Sequence, residues 1–259
     1  MRTKTLEEIK LSRLDNCYLV IYTFSTNITY IRDNTFLNKK LYTFIGLNNL
    51  GKKRFLGSFI DQEDNNRFWL DTFETFKSRG IHDILFLAAD DNTNLSRCVK
   101  ASFPNTVIIP SINYIFDKFM IYFSDNFSTK IKEEIKQLFL QDNIKDYDNI
   151  FTFFKDKYND NIILKNLIDK YLINIDKLYK YDFNVRDVLF NTYKIHILKR
   201  KYKSNISQLG YIKDIDKLLE KLLIDLNYLE NFTSYHKKQW LSILSSFYTY
   251  RSKELENII

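Results

Sequence analysis

Between residues 17 and 89 the apolar residues change their spacing twice, and this restricts the fold more than any other feature of the chain. "CYLVIYTFS", "ITYIRD", "KKLYTFIGLN" and "KKRFLGSFI" are dense in β-branched and aromatic residues and read as strands. Gly51 and two asparagines in "LNNLGKK" supply a hairpin turn between the last two. In "DNNRFWLDTFETFKSRG" the period becomes helical. Trp69, Phe73 and Phe76 fall at i, i+4 and i+7, with Asp64 placed to cap the start and Gly80 to end it. "DILFLAAD" returns to continuous apolar character, the mark of a buried strand. A short helix in "NTNLSRCVKASF" and a short strand in "TVIIP" complete the order β-β-β-α-β-α-β. A three-strand meander followed by alternating helix and strand specifies an α/β fold, a mixed sheet with helices on its faces.

From about residue 111 the pattern is helical. "IKEEIKQLFLQD", "NIFTFFKDKY" and "NIILKNLIDKYL" read as successive short helices. In "DIDKLLEKLLIDLNYLENF", Ile215, Leu218, Leu219, Leu222, Leu226 and Leu229 form one apolar stripe, suited to a core or to a partner helix. Trp69 and Trp240 sit among apolar residues at helical spacing and are expected to pack.

No apolar run in the 259 residues is long enough to span a bilayer, so no membrane partner is expected. The opening "MRTKTLEEIKLSRLDN" reads as a polar helix or tail and not as a leader, making the cytoplasm the expected compartment. Cys17 and Cys98 fit a reducing environment without a disulfide framework. His82, His196 and His236 lie too far apart for zinc-ligand spacing. A net charge of +7 permits a DNA partner. "KRKYK" is the densest positive cluster: Lys199, Arg200, Lys201 and Lys203 either contact phosphates or form a solvated helix face. Asp90, at the end of "DILFLAAD" beside Asp91, is the candidate divalent-cation ligand, with a polar loop start as the alternative.

Three blocks of the chain resemble the mutator-type transposases of bacterial insertion sequences. "IGLNNLGKKRFLGSFIDQEDNNRFWLDTFETFKSRGIHDILFLAADD" is similar to the family's strand, Gly turn, strand, helix with a Phe-Trp pair, Arg-Gly, and strand ending in aspartate. "SRCVKASFPNTVIIP" is similar to its next helix, Phe-Pro and strand, and "YHKKQWLSILSSFYTYRSKEL" to its Trp-centred helix near the C-terminus. The likeness covers roughly residues 17 to 255.

The resemblance implies an RNase H-like fold: a polar N-terminal segment (1–16), an RNase H-like core (17–125), a helical insertion (126–185) and C-terminal helices that complete the core (186–259). It also implies DNA strand cleavage and joining by an Asp, an Asp and a Glu that hold two Mg²⁺ ions. Asp90 matches the second aspartate. The first falls at Ser25 in "FSTNITYIR", and residues 16 to 32 contain no acid. The glutamate falls at His196 in "NTYKIHILKRKY", and the family's C-x-x-H reads "PSIN", with Pro110 and Asn113 substituted. One catalytic carboxylate of three remains, so Mg²⁺ is not expected to be held and no independent strand transfer is expected. A Ser25/His196/Asp90 hydrolase triad lacks a nucleophile elbow and an oxyanion-hole motif. The family's helical DNA-binding region is not expected ahead of Cys17, and the resemblance extends to the catalytic part alone. Two other expectations stand beside this one. The chain serves as a non-enzymatic module that binds DNA, a second copy or a full-length transposase, nucleoid-associated if it holds DNA; or it is an active nuclease in which Asp91, Asp187 or Asp61 replaces the lost ligands.

Overall fold

The structure, a computed structural model, describes residues 4–61, 65–89, 93–122, 125–172, 175–190, 192–231 and 235–256. It divides into two units, Met1–Ser111 with Tyr193–Trp240, and Ile112–Thr192 with Leu241–Ile259.

The strand-rich stretch of the first unit forms β1 (Cys17–Arg32), β2 (Thr35–Asn48) and β3 (Lys53–Asp61). "CYLVIYTFS" and "ITYIRD" are one strand, because pairing with β2 continues without interruption from Val20↔Leu47 to Arg32↔Thr35. The turn lies beyond them, at Asp33 and Asn34, with φ of 50° and 60°. Two left-handed residues between paired strands make a tight hairpin, and Asp and Asn tolerate that region better than most residues. At the other hairpin Gly51 takes φ 73°, and a Cβ there would come within 2.9 Å of the Trp240 ring.

After β3 the chain forms α2 (Asn66–Ser78), β4 (Asp83–Ala89), α3 (Thr93–Ser102) and β5 (Val107–Pro110). The cap of α2 is Asn65, whose side chain accepts from the Phe68 amide; the expected cap, Asp64, lies outside the described residues. The five strands stand in the spatial order β3-β2-β1-β4-β5, with β1, β2 and β3 antiparallel and β4 and β5 parallel to β1. On one face Trp69, Phe73 and Phe76 of α2 meet Tyr42 and Phe44 of β2, with ring centroids 4.6 Å apart for Tyr42–Trp69 and 5.2 Å for Phe44–Phe76. Fully burying one such ring contributes about 1.5–3 kcal/mol, so this aromatic layer is the main apolar term holding α2 to the sheet.

Helices α9 (Tyr193–Leu209), α10 (Ile215–Lys221) and α11 (Leu223–Asn231) complete the unit, with α9 against β1 and α11 against β3. The expected leucine stripe is interrupted at Leu222, whose amide bonds Leu219 O at 3.1 Å in a tighter turn. Leu218, Leu219, Leu222, Leu226 and Leu229 are nevertheless all buried. The N-terminal segment carries a short helix, α1 (Leu6–Leu11), closed by a capping box between Thr5 and Glu8.

The second unit is helical: α4 (Ile112–Met120), α5 (Asp125–Phe139), α6 (Ile144–Lys157), α7 (Ile162–Tyr171), a 3₁₀ turn (Ile175–Lys180) and α8 (Phe183–Phe190). α12 (Lys237–Glu256) starts in the first unit and continues into the second. Among the described residues no helix is long and apolar enough to cross a membrane.

Candidate functional site

In a sheet containing parallel strands, chemistry gathers beyond their C-terminal ends. Here that edge is formed by β1 and β4, whose parallel register runs from Cys17↔Asp83 to Tyr22↔Ala88. Ser111, just after β5, returns its amide to Ala89 O at 2.8 Å. Asp90 and Asp91 follow directly and lie outside the described residues.

Ser25 lies three residues past Tyr22 on β1, directly opposite Tyr42 of β2. Opposed residues share a face. Tyr42 packs on Trp69 and Phe68, so Ser25 belongs to the α2 side. Phe24 belongs to the other side, where its ring meets Tyr202 of α9 edge-on at 5.5 Å. The Tyr202 hydroxyl lies 3.0 Å from Ser58 Oγ, which lies 2.8 Å from Thr43 Oγ1. Burial raises the Tyr202 phenol to about 12, against the lowering effect of those two hydroxyls. This chain fixes α9, and with it the half-buried His196, on the Phe24 side. Ser25 and His196 thus belong to different elements, β1 and α9, and Asp90 lies outside the described residues. A β-bulge between Tyr18 and Val20 interrupts the register of β1 with β2 ahead of these positions.

Two buried hydroxyls flank Ser25 on β1. Thr23 and Thr26 are 3% and 6% exposed, and among the described residues their Oγ1 atoms have no hydrogen-bond partner. Over its 16 residues, "CYLVIYTFSTNITYIR", β1 carries no acid, and neither does α9 over its 17, "YKIHILKRKYKSNISQL". Among the described residues no group of three His, Cys, Asp or Glu side chains could hold a metal ion.

The basic cluster divides by helical geometry. Lys199 is 5% exposed, on the buried side of α9 with Ile195, Leu198 and Tyr202. Lys201 pairs with Asp225 of α11. Arg200 and Lys203 are exposed, three residues apart on the outer side. Asp61 is 4% exposed at the end of β3, and Asp187, in the second unit, is half-buried, with burial raising its carboxyl above the ordinary range.

Trp240 is a positioning residue of a different kind. It is 7% exposed, and its indole Nε1 donates to Asn49 O at 2.8 Å over the Gly51 turn. Packing was expected of it; the bond to the turn backbone links two blocks that are 191 residues apart in the chain.

Residues 3–233 match the family model described as "Transposase, Mutator family". The chain is 33% identical over 96 residues to a probable transposase for insertion sequence element ISRM3-like of Sinorhizobium fredii, covering 37% of this chain and 24% of that protein. It is 32% identical, with the same coverage, to the transposase for insertion sequence element ISRM3 of Rhizobium meliloti. A longer alignment joins it to the transposase for insertion sequence element IS1201 of Lactobacillus helveticus, 22% identical over 207 residues, 74% of this chain and 53% of that one. The aligned part thus spans from about a quarter to about half the length of these relatives. With a family match across most of its length, the chain belongs to the Mutator family of transposases.

Proposed function

We propose that the chain is a transposase-derived protein on an RNase H-like scaffold whose carboxylate set is degenerate, so that it performs no DNA strand transfer alone. The order β3-β2-β1-β4-β5, with its antiparallel trio and two parallel strands, supports the scaffold. Hard divalent cations need several anionic oxygens, and two of them clamping a phosphodiester need more. The single observation that carries the degenerate reading is that β1 and α9 contain no acid at any position. A shift of register along either element therefore restores no ligand. Ser25 and His196 stand where the lost acids would be, and a neutral hydroxyl and an imidazole suit Mg²⁺ poorly. The residues do not fit a two-Mg²⁺ centre, and Asp90 is the one acid of the three that remains.

Supercoiled plasmid incubated with the purified protein and Mg²⁺ or Mn²⁺ tests this. No nicking above a protein-free control is expected. Metal-dependent cutting that Asp90→Asn abolishes would overturn the proposal and favour a centre rebuilt from Asp91, Asp61 or Asp187.

A second reading, a non-enzymatic DNA-binding or transposase-assembly module, is favoured by Arg200 and Lys203. Both are exposed on α9 in a chain of net charge +7. Such contacts give binding that weakens with salt and shows little base preference.

A further inference from the structure

The β1–β2 hairpin outruns the sheet. Among the described residues, pairing between β2 and β3 ends at Lys40↔Asp61, and Thr35 to Lys39 pair with β1 alone. The projecting arm is tied on its other edge, where Ile31 N donates to Ile212 O at 2.9 Å and Ile212 N to Thr29 O at 2.8 Å. Beside it lies a groove of ≈ 860 Å³ lined by Asn27, Asn38, Lys39, Lys40, Ser207 and Gly210, among others. This is within the range of about 300–1,000 Å³ typical of ligand clefts. Its wall mixes these polar and cationic side chains with Ile28 and Ile206, and the Asp61 carboxyl, 4% exposed, also lines it.

Lysines on an open edge also discourage strand-to-strand aggregation, and that use would account for Lys39 and Lys40 taken alone. It does not account for the aromatic rings beside them. Phe36 is 65% exposed and Tyr211 45%, edge to face at 6.0 Å, two residues from Asn38 and one from Gly210. Lys213 Nζ lies 5.7 Å from the centre of the Tyr211 ring. From α9, Arg200 and Lys203 continue at helical spacing to Ser207, so their exposed stripe leads into the groove. Among the described residues Lys39, Lys40, Arg200 and Lys203 make no ion pair.

We propose that this groove and the α9 stripe hold a single DNA strand, with phosphates on Lys39, Lys40, Arg200 and Lys203 and an unpaired base on Phe36 or Tyr211. The proposal rests on the DNA-binding reading above and gives it a location and a strand type. Cations track a backbone of either kind, but an exposed ring face stacks only on a base that has left its duplex. The occupant is therefore a single strand.

Fluorescence anisotropy with a labelled 20-nucleotide strand, and with its duplex, over a salt series tests it. The double variant Lys39→Ala/Lys40→Ala should bind the strand about tenfold more weakly, and the slope of log K against log salt should shrink by about 1.4, at about 0.7 per phosphate contact. Phe36→Ala should cost about tenfold on the single strand and less than about twofold on the duplex. Lys145→Ala/Lys165→Ala, which removes two exposed lysines of the other unit, should change neither. Circular dichroism melting checks that each variant folds, and Arg200→Ala/Lys203→Ala offers an independent probe should the hairpin pair fail. If the wild type binds DNA and the groove variants match the control pair, the groove assignment is wrong while DNA binding stands. If the wild type binds neither probe at low salt, both readings fall. A wild type that prefers duplex, with Phe36→Ala silent, overturns the single-strand assignment.

Discussion

Two buried charged groups, one in each unit, are satisfied in opposite ways. In the sheet unit cations answer a buried carboxylate. Glu230 of α11, its side chain 4% exposed, accepts from Lys4 Nζ at 2.5 Å and from Arg54 Nε at 3.4 Å, and Arg54 also faces Asp15 at 3.5 Å. Asn227, one turn earlier, exchanges hydrogen bonds with the Lys4 backbone at 2.7 and 2.9 Å. The Lys4 contacts fasten residues more than 200 positions apart, Arg54 and Glu230 are 176 apart, and together they hold the N-terminal segment and β3 to α11. In the helical unit the guanidinium of Arg186, 1% exposed, meets carbonyls instead. It donates to Phe139, Gln141, Asp142 and Tyr181 oxygens at 3.1, 2.7, 3.1 and 3.2 Å and lies 4.1 Å from the centre of the Tyr179 ring. Three of those oxygens belong to the end of α5 or the residues just after it, where carbonyls have no partner within the helix and the helix dipole is negative. The contrast is between these two groups: Arg79 of the sheet unit works as Arg186 does, donating to the Ile9, Ser12 and Leu56 carbonyls.

The comparison can be broken most directly at Arg186. Replacement by alanine leaves buried carbonyls unsatisfied and should destabilise the protein by about 3–4 kcal/mol, read as a lower urea midpoint. A nearly neutral Arg186→Met would show that volume, not hydrogen bonding, is what the helical unit requires there. Next in size is Glu230→Ala, expected to cost about 2 kcal/mol, because Arg54, its side chain 17% exposed, keeps Asp15 as a remaining partner. If Glu230→Ala proves costlier than Arg186→Ala, the paired network is the more demanding device. The smallest effect concerns Asp187. Burial raises its carboxyl above the unfolded value, so its contribution is fully present below the unfolded pKa and is lost as pH rises through the folded one. Asp187→Asn should therefore melt slightly higher than wild type at neutral pH, and the difference should vanish in acid. Equal melting at every pH would show that water reaches the carboxyl freely.

Much of the sheet could be read from the chain because its signals are local. Alternating and continuous apolar runs mark the strands, and Trp69, Phe73 and Phe76 fall on one side of α2 as their spacing requires. Polar residues at 25–27 suggested a break where β1 runs on, since a half-exposed strand can carry them without turning. Asn65 serves as the α2 cap, a role for which an Asn or an Asp side chain is equally suited, so composition alone does not single it out. The division of the basic cluster was also within reach: Lys199 shares its helical side with Ile195, Leu198 and Tyr202, whereas Lys203 does not. Arg186 left no trace, because carbonyl partners have no sequence signature. At the candidate site the family resemblance gave Ser25 and His196 as positions, but the face each one presents depends on strand pairing and on the seating of α9.

The β-bulge at the start of β1 matters to both of its neighbours. Two β1 residues there stand against one of β2, with Tyr18 opposite Asn48 and Val20 opposite Leu47, while β4 keeps step with β1 from Cys17↔Asp83 to Tyr22↔Ala88. Deleting Leu19 would leave Val20 to Arg32 with their β2 partners and their faces, and the loss of step would fall on the pairing with β4. One extra residue thus lets a single strand serve two neighbours of unequal count.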